Sequence, residues 1–117
     1  MRLSEAIRLG AMATAQTWVV AFEYVNGEVT KTCALGAALY ACGKRDGMEL
    51  GNLFGGDWLI EYINCPECLH RKSTVVSTIA HLNDFHKWTR ERIADWVEAI
   101  EQRVVEPEPE AELAAAR

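Results

Sequence analysis

Apolar side chains at helical spacing mark the beginning of the chain. Ile7, Ala11 and Met12 fall on one face of a helix, and this pattern predicts a first helix over residues 3–15. Ser4 is a residue type that often caps helix N-termini, because its hydroxyl oxygen can accept a backbone N–H hydrogen bond. We therefore expect Ser4 to be the N-cap of this helix.

The pattern then changes to a period of two residues. Four large side chains share one face of an extended strand: Trp18, Val20, Phe22 and Tyr24. Asn26 and Gly27 supply the two positive-φ positions of a type I′ turn, so residues 28–32 can return as a second strand. This predicts a β-hairpin over residues 17–32, which must pack on helices because two strands alone are only marginally stable.

The middle of the chain combines one apolar helix with a glycine-rich segment. Residues 33–42 are small and apolar, which predicts a buried helix, and Gly43 suits its C-terminal end. Residues 44–56 are predicted to be a loop. Its apolar side chains, expected to anchor it to the core, are Met48, Leu50, Leu53 and Phe54.

Three further helices are predicted toward the C-terminus. Asp57 can cap a short helix over residues 57–63, and Ser73 can cap one that ends near Asn83. Thr89 can cap a last amphipathic helix over residues 90–104.

The length and composition suit a single small domain. The chain has 117 residues, of which 50% are hydrophobic. We expect an α+β fold, mainly α, with four to five short helices and one β-hairpin, over residues 1–104. Residues 106–110 alternate Glu and Pro, which neither continue a helix nor build a core, and we expect a disordered acidic tail over residues 105–117.

The charge distribution argues against extensive binding to nucleic-acid phosphates. The net charge is −5, and residues 104–117 alone carry four Glu and one Arg. Proteins that bind nucleic-acid phosphates usually show a basic stripe, and none is visible. The start of the chain has no signal-peptide pattern, and no apolar run is long enough to span a bilayer. We expect a cytoplasmic protein with reduced cysteines.

Four residues have the spacing of a zinc site. Cys65, Cys68, His81 and His86 form the pattern C-x2-C-x12-H-x4-H, within the range of two-Cys, two-His zinc sites. Two thiolates on a tight turn and two imidazoles from a following helix can surround one Zn²⁺ tetrahedrally. The sequence therefore predicts a structural zinc that staples the fold.

The spacing of the two histidines places a condition on the helix. Five residues of an ideal helix rotate by about 140°, so His81 and His86 converge only if the helix loosens between them. Asn83 and Asp84 are a plausible place for that break. Lys72 and Thr78 occupy positions that are bulky and apolar in nucleic-acid-reading fingers. We therefore expect a zinc-stabilised helical domain and not a ββα finger.

Other roles for the cysteines remain open at this point. Cys33, Cys42 or His70 could replace one of the four ligands, although a free cysteine often packs as a small hydrophobe. The Cys65–Cys68 pair could be a redox motif, but the βαβ context of that motif is missing. A catalytic zinc keeps an open coordination position, which a four-residue ligand set does not leave.

Basic residues near the predicted zinc site suggest a second use for this region. They are Arg71, Lys72, Lys87, Arg90 and Arg92. Together they could form a local nucleic-acid-binding patch, or simply a solvated charged face. Residues 90–104 are not followed by a second, groove-reading helix, so a helix-turn-helix is not predicted.

Two stretches resemble a known group of short proteins. Residues 32–38, TCALGAA, and residues 79–97, IAHLNDFHKWTRERIADWV, resemble proteins encoded by bacteriophages and prophages, in which CP-x-C often precedes the second stretch. With RLSEAIRLG near the start, the resemblance covers about half of the chain. That group is uncharacterised, so the resemblance implies a context, the cytoplasm of a bacterial host, and no activity.

These observations favour a non-enzymatic protein that binds a protein partner from host or phage. The catalytic motifs H-E-x-x-H and G-x-S-x-G and a phosphate-binding P-loop are absent from the sequence. We infer no small-molecule substrate and no membrane association. The alternatives are a nucleic-acid-binding accessory protein that uses the basic residues and a virion structural protein.

Overall fold

The computed structural model describes residues 1–68 and 71–104. Within them the chain is α+β and mainly α, as the sequence predicts. The elements in chain order are α1 (Leu3–Ala13), β1 (Ala15–Gln16), β2 (Phe22–Val25), β3 (Glu28–Thr32), α2 (Ala34–Ala41), a 3-10 turn (Gly47–Glu49), α3 (Leu50–Phe54), a second 3-10 turn (Gly56–Ile60), β4 (Tyr62–Asn64), β5 (Lys72–Thr74), α4 (Val75–Asp84) and α5 (Arg90–Val104). The predicted acidic tail lies outside the described residues.

Helix α2 packs closely against α1 and against the loop that precedes β2. A Cβ atom added at Gly10 of α1 would lie 1.9 Å from the carbonyl oxygen of Ala37 in α2. A Cβ atom at Gly36 would lie 2.1 Å from the carbonyl oxygen of Ala21. Only glycine permits approaches this close. The composition of residues 33–42 is therefore explained by contact on two sides of α2.

The start of α1 differs from the prediction. Its N-cap is Arg2, and Ser4 lies inside the helix, fully buried. The Ser4 hydroxyl donates a 2.5 Å hydrogen bond to one carboxylate oxygen of Glu101 in α5, and the Ser4 backbone N–H donates to the other at 3.3 Å. Glu101 thus accepts a hydrogen bond from a backbone N–H in the first turn of α1. Sequence patterns predict that a side chain nearby in sequence, such as the N-cap, accepts this bond.

The first sheet has three strands in the order β1-β3-β2. The predicted hairpin is present, since β2 pairs antiparallel with β3 and both Asn26 and Gly27 have positive φ at the turn. The prediction of a strand over residues 17–21 is wrong: that segment is a loop, and β1 instead pairs parallel with β3.

Residues 44–56 are more ordered than predicted. Helix α3 lies where a loop is expected, and Leu50 and Phe54 are buried as predicted. Met48 is 86% exposed, so it does not anchor this segment. The short helix predicted from Asp57 is the second 3-10 turn, which follows Gly55 at φ 91° and leads directly into β4.

A second hairpin, β4 with β5, precedes α4, and it corrects one expectation. Tyr62, Ile63 and Asn64 pair with Thr74, Ser73 and Lys72. A hairpin with two cysteines at its turn, followed by a helix, is a ββα arrangement. The polar residues Lys72 and Thr78 led us to expect no such arrangement, and that expectation is wrong. Thr78 is nevertheless fully buried here. Thr74, not Ser73, caps α4 by accepting a hydrogen bond from the Ser77 backbone N–H at 3.1 Å.

The core lies between α1, α2, α4 and α5. Its fully buried large side chains include Leu3, Ile7, Val75, Ile79, Leu82, Ile93 and Val97. Trp58 and Trp88 also belong to this core. The Trp58 indole N–H donates to the Phe54 carbonyl oxygen, and the Trp88 indole N–H donates to the Glu67 carboxylate. None of the helices in the described ranges is long and apolar enough to cross a membrane.

Candidate metal centre

The turn between β4 and β5 presents both cysteines. Cys65 follows β4 directly, and its backbone N–H donates to the carbonyl oxygen of Arg71 at 2.8 Å, closing the turn. The Cys68 backbone N–H points at the Cys65 sulfur, with N and Sγ 3.5 Å apart. Cys65 is fully buried, and Cys68 is half-buried. The Cys-Pro-Glu-Cys segment therefore folds back so that both sulfurs face α4.

The end of α4 brings in the two histidines. His81 lies in the last turn, the helix ends at Asp84, and His86 lies beyond it. The His86 backbone N–H donates to the His81 carbonyl oxygen at 3.3 Å, an i→i+5 bond wider than a helical turn. This loosening, next to the predicted position at Asn83 and Asp84, sets the His81 and His86 rings edge to face with centroids 4.6 Å apart.

The four ligand atoms form a compact cluster. The sulfurs of Cys65 and Cys68 are 3.6 Å apart. The Cys68 sulfur lies 3.2 Å from Nε2 of His81 and 3.1 Å from Nε2 of His86. All four donor atoms lie within 4.8 Å of one another. The four predicted ligand residues are therefore brought to one point by three separate segments.

The three distances from the Cys68 sulfur are close to the edges of a tetrahedron around a metal ion. With Zn–S about 2.3 Å and Zn–N about 2.0 Å, tetrahedral angles give about 3.8 Å between two sulfurs and about 3.5 Å between sulfur and nitrogen. The cluster is thus already close to the size that one ion requires. The arrangement could hold a metal ion through four protein donors, which leaves no coordination position for a substrate.

The protonation of the ligands bears on metal binding. Burial, followed by the adjacent Cys65, raises the pKa of the Cys68 thiol. Burial, then the positive charge of Arg71 and the neighbouring His86, lowers the pKa of His81. A neutral imidazole has a free lone pair for a metal, whereas the thiol must lose its proton. Metal binding at this centre therefore releases protons.

Contacts between Glu67, Trp88 and Arg92 hold the Cys-Pro-Glu-Cys turn in position. Glu67, inside the Cys-Pro-Glu-Cys turn, accepts a hydrogen bond from the Trp88 indole N–H at 2.9 Å and lies 3.4 Å from Arg92. The Arg92 guanidinium stacks over the Trp88 ring, 3.8 Å from its centroid. These contacts tie the turn to the start of α5. The sequence offered no pattern for Glu67, because its partners are 21 and 25 residues away.

Asn83 holds the end of α4 in place. It is fully buried, and its side-chain oxygen accepts from the backbone N–H of Ala34 at 3.1 Å and from the Gln16 side chain at 3.0 Å. Its amide nitrogen donates to the Thr17 carbonyl oxygen at 3.0 Å. One side chain thus connects α4 to the beginning of α2 and to β1. The sequence pattern indicates Asn83 only as a helix break and gives no sign of these contacts, because these partners of Asn83 are distant in sequence.

The alternative cysteine ligands are placed elsewhere. Cys33 is the N-cap of α2, and its sulfur accepts from the Gly36 backbone N–H at 3.3 Å. Cys42 is at the other end of the same helix. Neither belongs to the cluster around Cys65. His70 lies outside the described residues.

The predicted basic patch is not one surface. Arg90 is only 5% exposed, and its guanidinium donates to Thr14, Thr32 and backbone carbonyl oxygens at the end of α1. Its assignment as a nucleic-acid contact is therefore wrong, because it completes the C-terminal end of a helix. Arg92 is exposed but pairs with Glu67. Arg71, Lys72 and Lys87 remain exposed.

The outward positions of α4 are small. In base-reading fingers the residue before the helix and helix residues 3 and 6 contact successive bases. The corresponding residues are Thr74, Ser77 and Ala80. None carries the long bidentate side chain that reads guanine or adenine. The ββα arrangement is thus present without the surface that reads DNA.

Comparison with known proteins gives no relative from which a role could be transferred. No protein-family model, curated protein or solved structure matches the chain.

Proposed function

We propose that this chain is a non-enzymatic, zinc-stabilised protein that acts by binding a protein partner. The observation that carries the proposal is the closed ligand set of Cys65, Cys68, His81 and His86, with donor atoms within 4.8 Å of one another. Two thiolates and two imidazoles in a tetrahedral arrangement favour Zn²⁺ over harder cations such as Mg²⁺ or Ca²⁺. With all four positions filled by protein, the zinc has a structural role.

The likeness of residues 32–38 and 79–97 to phage and prophage proteins supplies the context. We place the protein in the cytoplasm of a bacterial host, with a host or phage protein as its partner. Exposed apolar side chains next to the metal centre support a role in protein binding, since large ones rarely cluster on a surface without a use.

A nucleic-acid-binding role is the second candidate. It rests on the exposed side chains of Arg71, Lys72 and Lys87, none of which forms an ion pair within the described part of the chain. Three charges predict weak, strongly salt-dependent retention on DNA or RNA. Retention at low salt that declines as salt is added and is lost on Arg71→Ala would favour this role.

Affinity capture with chemical cross-linking tests the leading role. The full chain is immobilised and exposed to lysate from phage-infected bacterial cells, and a Cys65→Ser variant serves as the control for specific folding. One protein enriched reproducibly by the wild type and not by the variant is the expected result. If only nucleic acid is retained, or nothing is, protein binding is the wrong function.

A further inference from the structure

The loop between β1 and β2 exposes apolar side chains. Trp18 is 43% and Val19 81% exposed, and Val20 and Ala21 are also at the surface. Val19 has φ 76°, a left-handed conformation that is strained for a β-branched residue. Such strain persists only where the surrounding structure enforces it, and it is found most often at functional positions.

Contacts at both ends and in the middle of the loop enforce this conformation. The Val19 backbone N–H donates to the Asp84 carboxylate at 2.8 Å. The Thr17 backbone N–H donates to Thr32 at 2.9 Å, and Ala21 accepts from the Cys33 backbone N–H at 3.1 Å. The loop is thus held outward by β3, the start of α2 and the end of α4.

The same loop adjoins the metal centre. Phe85, the neighbour of Asp84, is 70% exposed and stacks on the His81 ring, with centroids 5.2 Å apart and planes 10° from parallel. The Lys87 ammonium lies 5.2 Å from the centroid of the Trp18 ring. The loop thus meets the end of α4 through the hydrogen bond from Val19 to Asp84, the residue before Phe85. We call the exposed side chains of Trp18, Val19, Val20 and Phe85 the metal-side patch.

Two cations, Arg71 and Lys87, lie beside the metal-side patch. Arg71 lines the same shallow concavity as Phe85 and His81, and Lys87 lies over Trp18 at the other edge. Neither cation forms an ion pair within residues 1–68 and 71–104. The Asp84 carboxylate, which lines the same concavity as Arg71, accepts hydrogen bonds from Val19 and from the Asn83 side chain. A partner that meets this surface gains from negative charge.

We propose that the metal-side patch docks an acidic peptide segment with apolar anchor side chains, contributed by the protein partner. The proposal rests on the protein-binding function and names the surface and the chemistry of its partner. Acidic side chains of that segment would face Arg71 and Lys87, and its apolar side chains would cover Val19 and Phe85. Trp18 and Phe85 offer rings on which bases could stack, but single-stranded nucleic acid fits less well, because the chain has a net charge of −5 and its sequence shows no basic stripe for a phosphate backbone.

Two substitutions at the patch and one control test the role of the patch in binding without changing the fold. Val19→Asn removes the apolar side chain at a position where Asn tolerates positive φ, and Lys87→Asn does the same for a charge at φ 58°. Met48→Asn is the control, since Met48 is an equally exposed apolar side chain on the 3-10 turn before α3. Circular dichroism and zinc content should be the same for all three variants and the wild type.

A random peptide library panned against the immobilised full chain is the probe. Enrichment of sequences that combine Asp or Glu with Leu, Phe or Trp is expected. Synthetic copies should bind about tenfold more weakly to Val19→Asn and several-fold more weakly to Lys87→Asn, with Met48→Asn unchanged. Added salt should weaken binding to the wild type.

Four other outcomes would contradict the proposed docking of an acidic peptide on the metal-side patch. These outcomes are no enrichment, enrichment of sequences without acidic residues, peptides that bind Val19→Asn as well as the wild type, and oligothymidylate binding that only Val19→Asn loses. If a captured partner protein binds wild type and Val19→Asn equally, the protein-binding function stands and only the patch is wrong. If the wild type captures no protein at all, the function itself fails.

Discussion

The Sγ atom of Cys68 lies 3.1 Å from Nε2 of His86, a residue outside helix α4. Had α4 continued as a regular helix, His86 would have turned about 140° away from His81. The chain ends the helix at Asp84 instead and turns His86 back toward the cysteines. The end of α4 is therefore as much a part of the metal centre as the Cys-Pro-Glu-Cys turn.

Loss of one cysteine ligand should destabilise the protein strongly. Cys65→Ser is expected to lower the melting temperature by about 10 °C or more, because metal binding supplies folding free energy in small zinc domains. Thermal unfolding followed by circular dichroism measures this. Cys42→Ser is the matched control, since Cys42 is half-buried at the end of α2 and outside the cluster. Equal melting curves for the two variants would exclude a structural metal.

Metal affinity should fall as the pH is lowered. The raised pKa of the Cys68 thiol keeps it protonated in the metal-free protein at neutral pH, so the metal must displace that proton. The lowered pKa of His81 keeps this imidazole neutral to a lower pH. The affinity should therefore rise by about one power of ten per pH unit near neutrality, for the Cys68 proton that is released.

Competition with a chromophoric chelator at several pH values measures this slope. The stability that the metal provides is lost on the acid side, where the Cys68 thiol holds its proton. An affinity that does not change across this range would mean that the Cys68 thiol is not a ligand.

The contact between α1 and α2 should not tolerate a methyl group. Gly10→Ala is expected to cost about 1–3 kcal/mol of unfolding free energy, because its Cβ would meet the Ala37 backbone. Gly51→Ala offers a control inside α3, where an added Cβ meets nothing within 4 Å. That variant should be unchanged or up to about 1 kcal/mol more stable. Urea denaturation compares the two, and an equal effect would contradict this packing.

Arg90 should be required for stability and not for contacts with a ligand. Arg90→Ala removes donors from Thr14, Thr32 and the end of α1, and should cost at least about 3 kcal/mol. Arg92→Ala, at an exposed position two residues away, should cost within about 1 kcal/mol. A stable Arg90→Ala variant would show that this buried cation is dispensable.

The sequence was sufficient for features that depend on local chemistry. The type I′ turn at Asn26 and Gly27 is present because few other residue pairs adopt two positive φ angles. The stop at Gly43 is present for the same reason, with the Lys44 backbone N–H returning to Leu39 at 2.9 Å. The four predicted ligand residues also come together, with their donor atoms within 4.8 Å of one another.

Features fixed by distant partners could not be predicted. Trp18 and Val20 alternate as in a strand, but Asp84, some 65 residues away, holds Val19 in a loop. Ser4 resembles an N-cap, yet Glu101 draws it into the core. Strands β4 and β5 are three residues each, too short for a periodic pattern, and each gains its partner only through their pairing across the segment that carries Cys65 and Cys68.

Elemental analysis of protein purified without chelators or a metal-affinity step tests the central claim most directly. A structural zinc held by Cys65, Cys68, His81 and His86 predicts about one zinc per chain, retained through gel filtration and lost in Cys65→Ser. Less than about 0.2 zinc per chain, in protein whose four thiols are shown to be reduced, would contradict the zinc centre.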